Sequence, residues 1–377
     1  MILTSHESPV TYHGFSGFPF DPAEVAPRLL AWYGSCGRDL PWRHTRDPYR
    51  IWLSEIMLQQ TTVTAVIPYY QRFLAVFPEV AALASAPPER VIELWAGLGY
   101  YSRARNLQRT AQMVVGEHRG RFPATVEVLE TLPGIGRSTA GAIVAIAFDR
   151  PAPILDGNVR RVLVRLFALA GDPRNARAEK QLWVWAEALT SRDRPHDYAQ
   201  AIMDLGATVC TPRDPACPAC PLASLCQARR QGLEMLLPAA RTRQPVPVRR
   251  QVALFIERGG CYLVRPRPAE GFLGGLWELP VVDLCTGELP LAAAGRLAAE
   301  LGLVGRRKEI GRLKHAYSHF TLELELVRMS VGVNDRVADG IWHWQTPEQL
   351  AATPLHGAHR KALERLAPPV VPGGQDE

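Results

Sequence analysis

Apolar positions recur every three to four residues through the first part of the chain and every second residue after about Gln251. Helical spacing runs through Ile51–Phe73, Glu89–Gly97, Arg103–Glu117, Ser138–Ala147, Val159–Ala168 and Ala178–Leu189, with short Pro- and Gly-rich loops between. No strand–helix alternation appears there, so a doubly wound sheet is not indicated. Later, Val252, Leu254 and Ile256 alternate, Gly259-Gly260 offers a hairpin turn, and Cys261–Val264 returns. Phe320, Leu322, Leu324 and Leu326 predict a second half-buried strand, with helices expected near Leu291–Leu301 and Pro347–Leu366.

The expected organisation is a tail over 1–20, a helical domain over 21–228, a linker over 229–250, an α+β domain over 251–369 and a tail over 370–377. The linker assignment rests on composition: six Arg, one Glu and three Pro without periodicity. A solvated connector and a segment lying on an anion both fit it. No internal repeat is present. The absence of an apolar run near 18 residues argues against a membrane span, and the start lacks the features of a secretion signal. A cytoplasmic protein is expected.

The 377 residues carry a net charge of +6, and only Lys180, Lys308, Lys314 and Lys361 among the 43 basic residues are lysine. That excess is compatible with a polyanionic partner without requiring one. The seven cysteines say more. Cys210, Cys217, Cys220 and Cys226 fall within 17 residues, while Cys36, Cys261 and Cys285 are scattered. A long chain with this distribution does not resemble a disulfide framework. Four thiolates in a compact loop suit zinc or an iron–sulfur cluster. One close pair with single cysteines outside it favours [4Fe–4S] over the two close pairs usual for structural zinc.

Leu132-Pro-Gly-Ile-Gly-Arg-Ser-Thr-Ala-Gly141 joins two apolar helical segments as a helix-hairpin-helix, expected near 129–147. Gly134 and Gly136 let backbone approach a ligand, and the N–H groups opening the second helix suit a phosphate. Such contact binds DNA without sequence preference. A plain Gly-capped helical hairpin stays open. Two carboxylates occupy opposed settings. Glu55 lies in an apolar helix beside Ile51, Trp52, Leu58 and Gln59, where desolvation raises a carboxyl pKa. Asp156 precedes the Val159–Ala168 helix, whose N-terminus favours the charged form. One acid retaining a proton beside one anion is the division of labour in glycosidic bond cleavage. A hydrogen-bonded core Glu and an ordinary Asp N-cap are the plainer readings.

Several long motifs, in order, resemble the adenine DNA glycosylases, the MutY family. They are Leu53-Ser-Glu-Ile-Met-Leu-Gln-Gln-Thr61, Gly97-Leu-Gly-Tyr-Tyr-Ser-Arg-Ala-Arg-Asn-Leu107, the hairpin, Leu155-Asp-Gly-Asn-Val159 and the cysteine spacing. The resemblance implies an all-α helix-hairpin-helix glycosylase domain with a [4Fe–4S] loop at 210–226, followed by an α+β nudix-like domain. It implies a base-excision repair enzyme, a monomer acting on double-stranded DNA, that removes adenine mispaired with 8-oxoguanine or guanine and leaves an abasic site. The adenine would be flipped out of the stack. Glu55 matches the general acid that protonates adenine N7, and Asp156 the carboxylate facing the oxocarbenium-like sugar. Trp42, Arg43, Leu58 and Gln200 match the adenine pocket; Gln59, Gln60 and Tyr100 match the wedge beside the lesion. Position 138 is Ser, where strand-cutting relatives such as endonuclease III carry a Lys nucleophile. A monofunctional glycosylase is therefore implied. Some family members have Tyr at 138, assisting a retaining mechanism.

Gly271-Phe-Leu-Gly-Gly-Leu-Trp-Glu-Leu-Pro280 resembles the family's nudix-like domain. The stretch from Gly287 to Gly302 lacks most carboxylates of a nudix catalytic box, which implies binding rather than magnesium-dependent pyrophosphatase activity. Tyr317-Ser-His-Phe320 matches the loop that reads 8-oxoguanine, with Tyr where the family usually has Phe. Ser318 is placed to accept the N7–H that distinguishes 8-oxoguanine, with His319 beside it. His315 and His319, four apart on an extended segment, are not read as a metal pair. A bifunctional lyase and a non-catalytic damage binder are the competing classes.

Overall fold

The computed structural model describes residues 18–239, 246–268, 271–317, 319–337 and 340–366. In chain order the helices are α1 (Val25–Cys36), α2 (Pro48–Leu58), α3 (Val63–Val76), α4 (Val80–Ser85), α5 (Pro88–Trp95), α6 (Ser102–His118), α7 (Val126–Leu129), α8 (Arg137–Phe148), α9 (Gly157–Leu166), α10 (Ala176–Leu189), α11 (Pro195–Asp204), α12 (Gln227–Gln231), α13 (Pro290–Glu300), α14 (Pro347–Ala352) and α15 (Gly357–Leu366). The strands are β1 (Val248–Arg258), β2 (Cys261–Pro266), β3 (Trp277–Glu278), β4 (Val281–Asp283), β5 (Arg306–Ala316), β6 (Thr321–Ser330) and β7 (His343–Gln345). The chain divides into two compact units, residues 1–55 with 122–241 and residues 56–121 with 242–377. The divide crosses the expected helical domain. No helix among the described residues is long and apolar enough to cross a membrane.

In the first unit, α1, α8, α9, α10 and α11 bury one core. Leu29, Ile51, Ala145, Val159, Leu163, Leu182, Ala199 and Leu225 meet there. Helix α9 buries Val159, Val162, Leu163 and Leu166 and begins on Asp156, whose side chain accepts the Val159 N–H. The last residues of the expected N-terminal tail make ring contacts. Phe18 and Phe20 pack on Phe167 at 5.7 and 5.1 Å. The first part of the expected linker is packed as well. Leu237 is buried in this core, and Arg165 Nε donates to its carbonyl at 2.8 Å. Residues 1–17, 240–245 and 367–377, parts of the expected tails and linker, lie outside the described residues.

The second unit holds α3–α6 and the α+β module. The single helical run expected over Ile51–Phe73 is two helices. Gln60 adopts φ 57°, ending α2, and Thr62 caps α3 through the Ala65 N–H. Periodicity ran on because apolar positions on both sides stay in phase. Helix α6 is long enough to pack on both α4 and α5, burying Ala104, Leu107, Ala111 and Val114.

In the α+β module the strand order is β3-β2-β1-β6-β5, with β4 paired to β1 and β7 to β2. Central β1 and β6 run parallel with Val252 opposite Glu325, and β5 returns antiparallel with a bulge between Glu309 and Gly311. Alternation sends Val252, Leu254 and Ile256 to one face, under α13, and Ala253 and Phe255 to the other. The single helix expected over Pro347–Leu366 breaks at Thr353-Pro354-Leu355 into α14 and α15. Pro354 disfavours the helical conformation of the residue before it.

Candidate active site and cysteine centre

Helix α2 buries Ile51, Trp52, Leu53, Ile56 and Met57, which surround Glu55 with apolar side chains and leave it partly open. Burial, followed by the negative charge of Asp156, pushes the Glu55 carboxyl up to about 7, against the opposing charge of Arg43. The two carboxyls are thus within electrostatic reach. Asp156 is the α9 N-cap, accepting Val159 N–H at 2.7 Å and Asn158 Nδ2 at 3.3 Å. The sequence predicted that the helix N-terminus would hold Asp156 down. Burial wins here and pushes its carboxyl up despite both hydrogen bonds.

Close backbone approaches place Asp156. A Cβ on Gly141 of α8 would come within 2.2 Å of the Pro153 carbonyl, and one on Gly206 within 2.6 Å of the Asn158 Cβ. Neither position tolerates a side chain without moving the segment that carries Asp156. Ser138 adds a third tether, its Oγ accepting Leu155 N–H at 3.0 Å. The hairpin forms as expected: Leu132 and Ile135 are buried, Gly134 takes φ 80°, and Gly136 is the N-cap of α8.

Arg43 belongs to a buried charge cluster missed in the sequence. Asp204 is fully buried at the end of α11 and accepts both Arg43 Nη1 and Nη2 at 2.5 Å, Arg38 Nε at 2.8 Å and Arg38 N–H at 3.0 Å. These donors hold the Asp204 carboxyl below its ordinary range although burial opposes them. Arg43 also lies 5.5 Å over the Tyr33 ring. An Asp inside an apolar run, Ile202-Met-Asp-Leu205, was the available signal. Trp42 is buried, and Gln200 is buried with Nε2 2.8 Å from His196 Nε2.

Cys210, Cys217, Cys220 and Cys226 line one small cavity together with Arg165 and Glu234. Burial raises the Cys217, Cys220 and Cys226 thiols, Cys220 to about 12. Arg165 is nearly inaccessible. Its Nη1 donates to Cys210 Sγ at 3.3 Å and to the Thr211 carbonyl at 2.6 Å. Arg161, one turn earlier on α9, donates to the Cys210 carbonyl at 2.7 Å, the Gly206 carbonyl at 2.6 Å and Asn158 Oδ1 at 2.9 Å. One helix thus carries Asp156 at its start and grips the cysteine loop along its length. The i, i+4 arginines on its polar face were visible in the sequence, but their partners were not. Among the described residues no group of three or more His, Cys, Asp or Glu is arranged to hold a single metal ion.

The residues expected to form a wedge lie in the second unit. Gln59 and Gln60 form the turn after α2, with Leu58 partly buried at its end, and Tyr100 is exposed with φ 49° just before α6. Left-handed backbone at two non-Gly residues stores strain of about 1 kcal/mol or more each. Buried Arg103 ties the two segments together. It donates to the Ile56 and Met57 carbonyls at 2.8 and 3.0 Å and to Thr61 Oγ1 at 3.1 Å. Tyr317 follows β5 and contacts Phe320 and Phe272 at 5.0 and 5.1 Å; its hydroxyl lies 3.2 Å from His356 Nδ1. His319 is exposed, and Ser318 lies outside the described residues.

Residues 53–188 match the family profile of HhH-GPD superfamily base excision DNA repair proteins, and residues 251–365 match that of the NUDIX domain. An adenine DNA glycosylase of Mus musculus is 37% identical over 387 aligned positions, covering 88% of this chain and 74% of the mouse protein. One of Buchnera aphidicola subsp. Schizaphis graminum is 33% identical over 320 positions, covering 84% of this chain and 91% of its own length. Among solved structures, a thermostable thymine-DNA glycosylase superposes with a TM-score of 0.51 at 31% identity, over 56% of this chain and 97% of that one. With both family profiles matched and this extent of shared sequence, the chain belongs to the adenine DNA glycosylase family.

Proposed function

We propose that this base-excision glycosylase hydrolyses the N-glycosidic bond of adenine mispaired with 8-oxoguanine or guanine and does not itself cut the strand. The observation that carries the reading is the Glu55–Asp156 pair. A carboxyl poised near 7 gives up a proton readily at neutral pH, and the Asp156 charge is what helps keep that proton on Glu55. Glu55 donates to adenine N7 as the C1′–N9 bond breaks and its electron pair moves to the base, which leaves neutral. Asp156 faces the cationic sugar, held by α9 and its Gly206 and Ser138 tethers. Water then adds to C1′ and yields its proton to the Glu55 carboxylate. Trp42, Arg43, Leu58 and Gln200 hold the flipped adenine, with Asp204 fixing the Arg43 fork. Gln59, Gln60 and Tyr100 fill the space beside the lesion, and Tyr317, Ser318 and His319 read 8-oxoguanine.

Cys210, Cys217, Cys220 and Cys226 suit a [4Fe–4S] cluster. They are soft donors around one cavity, an Arg165 N–H points at a ligand sulfur, and a polynuclear group spreads its thiolates wider than a single zinc ion. Such a cluster, when bound, supplies a redox-capable anchor for this loop. Arg161 and Arg165 hold the loop against α9.

Ser138 donates no amine for a Schiff base; its hydroxyl is engaged by the Leu155 N–H. A single-turnover reaction on a duplex with one adenine:8-oxoguanine pair tests the assignment. Free adenine from an unbroken strand is expected. Strand breakage without added base, trapped covalently by borohydride, would assign a lyase instead.

A further inference from the structure

Helix α6 touches the α+β module of its own unit through one arginine. Arg105, half-buried on the first turns of α6, donates from Nη1 to the Gly274 carbonyl at 2.7 Å. Gly274 is buried, so its carbonyl depends on such a donor, and a charged one is about twice as strong as a neutral one. The loop that receives it is strained. Leu273 sits at φ 58°, between Gly271 at 90° and Gly275 at 78°. A second arginine holds the other side, Arg267 Nε donating to the Phe272 carbonyl at 3.2 Å. Between the two anchors the loop presents Phe272, 43% exposed, edge-on to Tyr317 at 5.1 Å and 5.3 Å from Phe320. Arg105 therefore sits five residues after Tyr100 in sequence and one loop away from Tyr317 in space.

We propose that Arg105 is a positioning residue for lesion recognition. By fixing Gly274 it sets Phe272 against Tyr317 and keeps the lesion-reading turn in register with the wedge at the head of α6. This rests on the reading of Tyr317–His319 as the 8-oxoguanine reader. Arg105 is engaged with the Gly274 carbonyl and is not among the residues assigned to the adenine or the sugar, so its removal affects discrimination and not the bond-breaking step.

Single-turnover adenine release is measured for the full chain on duplexes with 8-oxoguanine or guanine opposite adenine. Arg105→Ala lowers the ratio of the two rates about fivefold to tenfold, by loss of a charged hydrogen bond, while the rate on the guanine duplex holds. Arg105→Lys recovers part of the ratio. Phe272→Ala, on an exposed loop that does not threaten folding, lowers the ratio in the same direction, and combined with Arg105→Ala adds little, as expected for one shared pathway. An unchanged ratio in Arg105→Ala, or an equal loss on both duplexes, overturns the proposal. Tyr317→Ala separates the two levels. If it lowers the ratio and Arg105→Ala does not, only the positioning role falls. If neither lowers it, the lesion-reading assignment falls too.

Discussion

The two units solve different physical problems with different materials. On the proposed reading, function in the first rests on buried charge: Glu55 against Asp156, Asp204 between two arginines, Arg165 against Cys210. In the second it rests on rings and strained turns: Tyr100 and Gln60 in left-handed backbone, and Tyr317 among Phe272, Phe320 and a His356 whose ring burial drives to about 3. His356 is therefore neutral beside the Tyr317 hydroxyl, and the aromatic cluster carries no net charge of its own. Moving a proton at neutral pH requires desolvated ionisable groups whose costs are offset by partners. Recognising a base within a duplex requires flat, polarisable surface and a few directed hydrogen bonds.

If that contrast holds, substitutions in the first unit change rate and stability, whereas those in the second change selectivity. The largest expected effect is Glu55→Gln, which removes the donor while keeping shape and lowers single-turnover adenine release by about 10²–10⁴-fold. Retained activity would move the acid role elsewhere. Cluster chemistry comes next. Purified protein should be brown and contain iron and sulfide, and Cys220→Ser should lose both; stoichiometric zinc without iron would reverse the assignment. Asp204→Asn strips the partner from two arginines at a fully buried site and should destabilise the fold by about 3–5 kcal/mol, read by chemical denaturation. A near-neutral result would mean that water reaches the cluster.

The pH dependence is smaller and signed. Glu55 is active protonated, and its carboxyl lies near 7, so release falls as pH rises through about 7, approaching tenfold per unit above it. The folded state also binds this proton more tightly than the unfolded chain. Its contribution to stability is therefore full below about 4.5 and lost as pH rises through about 7. A flat profile between pH 6 and 9 would contradict the assignment of Glu55. Smallest is Tyr317→Phe, which leaves His356 Nδ1 without its hydroxyl partner at a cost of about 1 kcal/mol and spares the ring contacts. Loss of lesion preference as large as for Tyr317→Ala would show that the hydroxyl, not the ring, matters.

Local patterns reached a long way. The cysteine spacing, the hairpin glycines and the carboxylates at Glu55 and Asp156 are chemistry carried by short runs of sequence. Helices α6, α8, α9 and α10 were legible because each buries one face over several turns. The break at Gln60 was not legible from apolar spacing, whereas the one before Pro354 was signalled by the proline and overridden by the apolar pattern around it. The charge balance at Asp156 was misjudged for a related reason: a helix N-terminus is a local feature, whereas desolvation comes from whatever packs on it.

The sequence by itself determined which groups are present: two acids, four thiols, a turn suited to phosphate, and a β-module with aromatics near Tyr317. Those follow from residue type and near-neighbour spacing. Only the tertiary structure decided their state and their alliances. It put Asp156 close enough to lift Glu55, gave Arg43 to Asp204, and brought Arg161 and Arg165 of α9 to the cysteine loop. Arg105 reaches Gly274 across 169 residues of chain. Electrostatic and hydrogen-bond energies depend on distance and burial, and a linear pattern records neither for residues so far apart.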